Sequence, residues 1–130
     1  MSRWTPFLLL GAALLLAQGT KKAPKPPDLE VVEVTATRHG DEIHVDGKVK
    51  NTGVKPLEKV VVIVDFFAPN RKPMVSKRGP VEAEVLEPGE EAEFKLAMSD
   101  PGQLVSIELQ AVDRRERDLR LSRTGPFSID

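Results

Sequence analysis

Alternation of apolar and polar residues, cut every ten residues or so by Gly, Pro, Asn or Asp, constrains this chain more than any other feature. "EIHVDGKVK" (Glu42–Lys50) is the cleanest case. Ile43, Val45, Gly47 and Val49 point one way, and His44, Asp46, Lys48 and Lys50 the other. A period of two is the geometry of a strand with one buried and one wet face. The same period sets Val32, Val34 and Ala36 against Glu33, Thr35 and Thr37, although Leu29 and Val31 break it. Further runs are Val81/Ala83/Val85, Ala92/Phe94/Leu96/Met98 and Val105/Ile107/Leu109/Ala111, and a short last strand is predicted around Asp118–Ser122. Turn residues separate these runs at His39-Gly40-Asp41, "APNRKP", Pro88-Gly89 and "SDPG". "DRRERDLRLSR" is the one stretch with any helical character.

The stretch "GKVKNTGVKPLEKVVVIVDFF" (Gly47–Phe67) joins two kinds of strand. Asn51-Thr52-Gly53 is read as the exit of the first, because Asn and Gly accept a left-handed backbone. The second, Val60–Phe67, is apolar at every position except Asp65. Its β-branched residues and the flanking Pro56 and Pro69 favour a strand over a short buried helix. Val60, Val62, Val64 and Phe66 fall on one face; Val61, Ile63, Asp65 and Phe67 fall on the other. About seven such strands in roughly 100 residues predict an all-β, immunoglobulin-like antiparallel sandwich. Its expected core comprises Val45, Val49, Val62, Val64, Phe66, Phe94, Leu96, Ile107 and Leu109. The chain has no cysteine, so the inter-sheet disulfide of antibody domains is absent, as are thiolate metal sites and a lipid-bearing cysteine.

The domain is expected to span residues 29–127, behind two segments of a different kind. Arg3 precedes the apolar run "FLLLGAALLLA" (Phe7–Ala17), and Ala17-Gln18-Gly19 offers small residues where a signal peptidase reads. Residues 1–19 therefore read as a signal-peptide helix, cleaved after Gly19. The alternative is an uncleaved membrane anchor, against which stands the roughly 20 apolar residues a bilayer span needs. Cleavage would remove Trp4, the only tryptophan, and leave a chain with neither Trp nor Tyr. "TKKAPKPPD" (residues 20–28) reads as a stiff Pro/Lys-rich linker. The expected location is secreted or periplasmic, with membrane contact only during export.

The residues from Val45 to Met98 also carry a family likeness. A Gly-Val strand ending in Asn-x-Gly is followed by Pro56-Leu57, an apolar strand, a turn, and then "LEPGE" before the Phe94 strand. This order resembles the FxLYD domain and related exported bacterial sandwiches. Where the namesake motif would fall the chain reads Val64-Asp65-Phe66-Phe67-Ala68, with Phe67 for the tyrosine and Ala68 for the aspartate. Asn70-Arg71 stands where the next turn would carry Gly. The resemblance implies an extracytoplasmic accessory or adhesion-like module and supplies no catalytic residue.

Searched for chemistry, the sequence offers little convergence. A formal net charge of −1 argues against a nucleic-acid binder, which shows a basic excess. His39 and His44 lack the further ligands that a zinc or copper site needs at defined spacing. The serines lie singly, outside any Gly-x-Ser-x-Gly elbow. Glu82/Glu84 and Glu90/Glu91/Glu93 include same-face carboxylates, which a solvated strand explains without acid–base work. No cofactor, metal or catalytic residue is assigned. A small hydrolase would require His39 or His44 gathered with carboxylates in a cleft. A polysaccharide-binding domain would require an aromatic platform, for which Phe67 and Phe127 are the candidates.

Two surfaces remain. Arg114, Arg115, Arg117, Arg120 and Arg123 form a basic corner, interleaved with Asp113, Glu116 and Asp118. Val61, Ile63 and Phe67 put apolar side chains on the outward face of the central strand, where a solvated strand would be polar. Either another element covers that face, such as the linker or the C-terminal "TGPFSID", or it is a contact surface for a protein partner. The chain is accordingly read as a non-enzymatic interaction or accessory module. Val61, Ile63 and Phe67 are its candidate interface and the arginine corner is second, the partner being another extracytoplasmic protein.

Overall fold

The computed structural model describes residues 26–130. Residues 1–19, the cleavage after Gly19 and the linker up to residue 25 lie outside the described residues. Ten strands follow: β1 (Leu29–His39), β2 (Glu42–Asn51), β3 (Leu57–Glu58), β4 (Val61–Ala68), β5 (Lys72–Pro80), β6 (Val85–Leu86), β7 (Glu91–Ser99), β8 (Ser106–Val112), β9 (Asp118–Leu119) and β10 (Phe127–Ser128). One sheet runs β1-β2-β7 and the other β10-β8-β4-β5, with β9 pairing β8 as well. Strands β3 and β6 make a small pair of their own. All of these pairings are antiparallel, and the fold is an all-β sandwich with more strands than seven.

The first hairpin explains the broken alternation at the start of the domain. Strands β1 and β2 close from His39↔Glu42 through a two-residue loop in which Gly40 takes φ +64°, a conformation costly for other residues. The register slips between Val31 and Glu33, so Val32 is the extra residue of a β-bulge. Leu29 and Val31 on one side of the bulge and Ala36 on the other are thereby all buried.

The core lies between the two sheets. Ile43, Val45 and Val49 of β2 and Phe94 of β7 face Val62, Val64 and Phe66 of β4, with Ile107 and Leu109 of β8. Each fully buried side chain of this size contributes about 1.5–3 kcal/mol relative to exposure. Of the expected core only Leu96 is not fully buried; it packs on the cluster from the edge strand β7. Gly47 is buried opposite Phe94, and the absence of its side chain is what admits the ring. A Cβ there would stand 2.4 Å from the Phe94 Cζ.

Four sequence expectations are corrected. Strand β5 was not foreseen, because "KPMVSKRGP" is polar and bounded by prolines. Pro is tolerated there because β5 is an edge strand paired on one side only. The strand expected at Val81–Val85 shrinks to an isolated bridge at Val81 and the two-residue β6, in which Leu86 rather than Val85 is buried. At the start of β8, Leu104 is buried and Val105 exposed, because the chain enters the strand from a turn in which Gln103 has φ +71°. Asn51 and Gly53 do not adopt positive φ. Asn51 is instead a buried anchor whose amide nitrogen donates to the carbonyls of Lys55 and Leu86, both at 2.8 Å. Its side-chain oxygen accepts from Gly53 N–H at 2.9 Å.

The C-terminal segment closes one lateral side of the sandwich. β10 pairs with β8, Ile129 is buried, and Asp130 exchanges hydrogen bonds with Ala36 and Arg38 of β1. Upstream, Leu29 bridges Leu121 in parallel. Folded structure therefore continues past residue 127. "DRRERDLRLSR" forms a turn and β9, and no helix.

Candidate protein-interaction site

Strand β4 is central in its sheet, so its outward side chains lie in the middle of a face flanked by β5 and β8. Register places Val61 beside Pro80 and Val112, Ile63 beside Arg78 and Gln110, Asp65 beside Ser76 and Glu108, and Phe67 beside Pro73 and Ser106. Val61, Ile63 and Phe67 share this face and are half-buried. Among the described residues, neither Pro27 and Asp28 at the end of the linker nor the C-terminal segment shields them. Pro27 and Asp28 bond instead to Thr52 and Arg120, and the C-terminus fills the β1–β8 side.

The shielding comes from three polar straps that cross β4. Arg71, in the turn before β5, pairs with Glu108 of β8, its guanidinium 5.6 Å from the Phe67 ring centroid. Asp65 accepts from Ser76 on one side and from Gln110 Nε2 at 2.6 Å on the other. Arg78 of β5 pairs with Glu116, beyond the end of β8, at 2.8 Å. The hydrogen bond from Arg78, aided by its charge, holds Glu116 below its usual carboxylate range, and the same bond raises Arg78. Arg71, Ser76, Arg78, Gln110 and Glu116 are exposed while Asp65 and Glu108 are partly buried, and ion pairs in contact with solvent contribute little to stability. The straps cover apolar surface yet open at little cost.

The arginine corner divides. Arg114 pairs with Glu58 at 3.0 Å and Arg117 with Asp113 at 2.9 Å. Arg123 donates to the Val31 carbonyl at 2.9 Å and lies over the Phe127 ring. Arg115 and Arg120 have no carboxylate partner among the described residues. The centre of this corner is Asp113, which is buried and which the sequence presented only as a neutralising charge. Burial opposes its ionisation. The N–H groups of Arg117 and Arg115 and the Arg117 guanidinium outweigh that and hold Asp113 below its ordinary value. A "D-R-R-E-R" spacing, with Asp able to bond N–H groups two and four residues on, was the available signal.

The remaining candidates are not brought together. Phe67 lies on the outer face of its sheet, whereas Phe127 pairs with buried Ile107 on the inner-face register, so the two rings form no common platform. His39 and His44 approach to 4.7 Å between ring centroids at the first hairpin, bonded to Thr37 and Glu42. Among the described residues, no group of three or more His, Cys, Asp or Glu side chains is arranged to hold a metal ion.

Comparison with known proteins finds the fold. No family model matches the chain, and no curated protein matches it. Among solved structures, the ApaA protein from Bordetella pertussis superposes with a TM-score of 0.52 at 18% identity, over 82% of this chain and 95% of that one. IrmA from Escherichia coli superposes with a TM-score of 0.50 at 7% identity, over 76% of this chain and 92% of that one. At such identities the likeness establishes a shared sandwich and nothing about activity.

Proposed function

We propose that the mature chain is a non-enzymatic, exported β-sandwich of FxLYD-like type that binds another extracytoplasmic protein through the outer face of β4. The observation that carries this reading is the line of Val61, Ile63 and Phe67, only partly buried at the centre of a sheet and crossed by polar straps. The straps also define the partner's chemistry. Arg71 and Arg78 stand on the β5 side, Glu108 and Glu116 on the β8 side. A complementary surface presents an apolar ridge with carboxylates toward β5 and basic groups toward β8, taking over both sets of pairs as it docks. Export rests on Arg3, the Phe7–Ala17 run and Ala17-Gln18-Gly19.

The test uses the exported protein with a photo-crosslinking residue at position 63, and separately at Thr35, which is exposed on the opposite sheet. One defined protein adduct formed from position 63 and not from position 35 is expected, on a chain whose N-terminus is Thr20. Adducts of equal yield from both positions would refute the β4 face. An N-terminus at Met1 would refute cleavage.

A further inference from the structure

The two lateral sides of this sandwich are finished differently. On one, the C-terminal segment bonds to both sheets and buries Ile129. On the other, β5 and β7 meet only near one junction. There Val81 bridges Phe94, Glu82 N–H donates to Glu93 C=O at 2.8 Å, and Leu96 packs against Gly79. Beyond that junction both strands run as free edges.

The backbone direction of β5 follows from its neighbours. Val81 N–H donates to Val60 C=O at 3.0 Å, and Val105 N–H donates to Phe67 C=O at 2.8 Å. Residues 60, 62, 64 and 66 therefore direct their backbone groups at β5, and the odd residues direct theirs at β8. Val62↔Gly79, Val64↔Lys77 and Phe66↔Val75 are then the hydrogen-bonded pairs. Ser76 and Arg78 turn N–H and C=O to the open edge, while Met74 is the extra residue at the register shift between Phe66 and Phe67. Val75, Leu96 and Met98 line the gap, half-buried against the core, and Met74 is exposed. Lys77 shares the inner-face register of Val75 and Gly79 but is exposed, so it stands at the gap itself.

Charge selects the occupant. No acidic residue occurs from Pro69 to Val81 or from Phe94 to Ser99. Lys72 and Lys77 have no carboxylate partner among the described residues, whereas Lys95 stands beside Asp46 on the outer face of the other sheet. We propose that this open seam accepts an extended acidic segment of a partner protein, which adds to β5 as a further strand. Its main chain satisfies Ser76 and Arg78, its apolar side chains meet Val75, Leu96 and Met98, and a carboxylate meets Lys77. A second copy of this chain is a poor occupant, because two β5 strands side by side would bring Lys72, Lys77 and Arg78 of both copies together with no acidic residue between them. The seam is separate from the outer face of β4, and either reading can fail without the other.

The probe is the acetylated peptide Glu-Val-Thr-Glu-Thr-Val-Glu, matched in length to Lys72–Arg78, with a counterpart carrying lysine at each glutamate. Titration is followed by amide-resolved NMR and hydrogen exchange on the folded chain. Saturable shifts confined to Met74–Gly79 and Lys95–Met98 are expected, with slowed exchange at Ser76 and Arg78. The lysine peptide should bind about tenfold more weakly, and Lys77→Glu, an exposed and fold-neutral change, should invert that order. No saturable shift, shifts centred on Val61, Ile63 and Phe67, indifference to Lys77→Glu, or dimerisation through β5 would each overturn the proposal.

Discussion

Asn51 provides a stringent check on the lower end of the sandwich, because its side chain is buried and fully used. Removing it in Asn51→Ala deletes the donors to the Lys55 and Leu86 carbonyls and the acceptor for Gly53 N–H. Lys55 and Gly53 lie in a partly exposed loop, where water replaces the lost partners, so each of these bonds is worth about 0.5–1.5 kcal/mol. The Leu86 bond is buried, and leaving that carbonyl unpaired adds about 1–3 kcal/mol. Together these place the loss at about 2–6 kcal/mol, a fall in Tm on the order of 10–25 °C for a domain of this size. Asn51→Asp keeps the shape and separates hydrogen bonding from packing. The introduced carboxylate faces two carbonyls, so its folded pKa is raised above the unfolded value of about 3.9. A raised folded pKa means the folded state binds the proton more tightly, so this variant gains stability relative to the parent as pH falls toward 4 and loses it as pH rises. Urea denaturation at pH 7 and pH 4 measures both effects. Loss of under about 0.5 kcal/mol in Asn51→Ala, or an Asn51→Asp penalty independent of pH, would refute the anchoring role.

Gly47→Ala drives a methyl group into the Phe94 ring and should cost about 1–3 kcal/mol, while Phe94→Ala should cost about 3–5 kcal/mol. In the double variant the Gly47→Ala penalty should largely vanish, which a double-mutant cycle by chemical denaturation would read. Asp113 is held below its unfolded pKa, so its stabilisation is fully present above about pH 4 and is lost as pH falls through the folded value. Asp113→Ala should therefore be destabilised at pH 7 and should converge on the parent in acid-unfolding curves below that range.

Much of the fold was legible because burial imposes a period of two. The runs Ile43–Val49 and Ala92–Phe94 have one dry face each, and their pattern carries the register with it. The one irregularity, Leu29/Val31 against Val34/Ala36, turned out to mark the bulge. Strand β5 was illegible for the complementary reason: an edge strand with a mostly wet surface has no alternation to show, and Pro73 and Pro80 are signals of turns elsewhere. Asn51 and Asp113 were misread because their chemistry depends on partners distant in sequence or on local N–H groups, and composition cannot distinguish a buried Asn from a turn Asn. The Val61–Ile63–Phe67 line was visible as a departure from alternation. Its straps were not, since Arg71–Glu108 and Arg78–Glu116 are joined only by the β5-β4-β8 pairing.

The claim that β4 carries the interface is tested most directly by Ile63→Asp, assayed in parallel for unfolding free energy and for association with the partner crosslinked from position 63. Ile63 is only half-buried and has Arg78 beside it. The substitution should cost about 1–2 kcal/mol, against the 5–15 kcal/mol typical of a domain, and leave the chain folded. Binding should fall by at least about tenfold, as for a central interface residue. A folded variant that binds as tightly as the parent would contradict the account, and so would a variant that cannot fold, because Ile63 would then belong to the core.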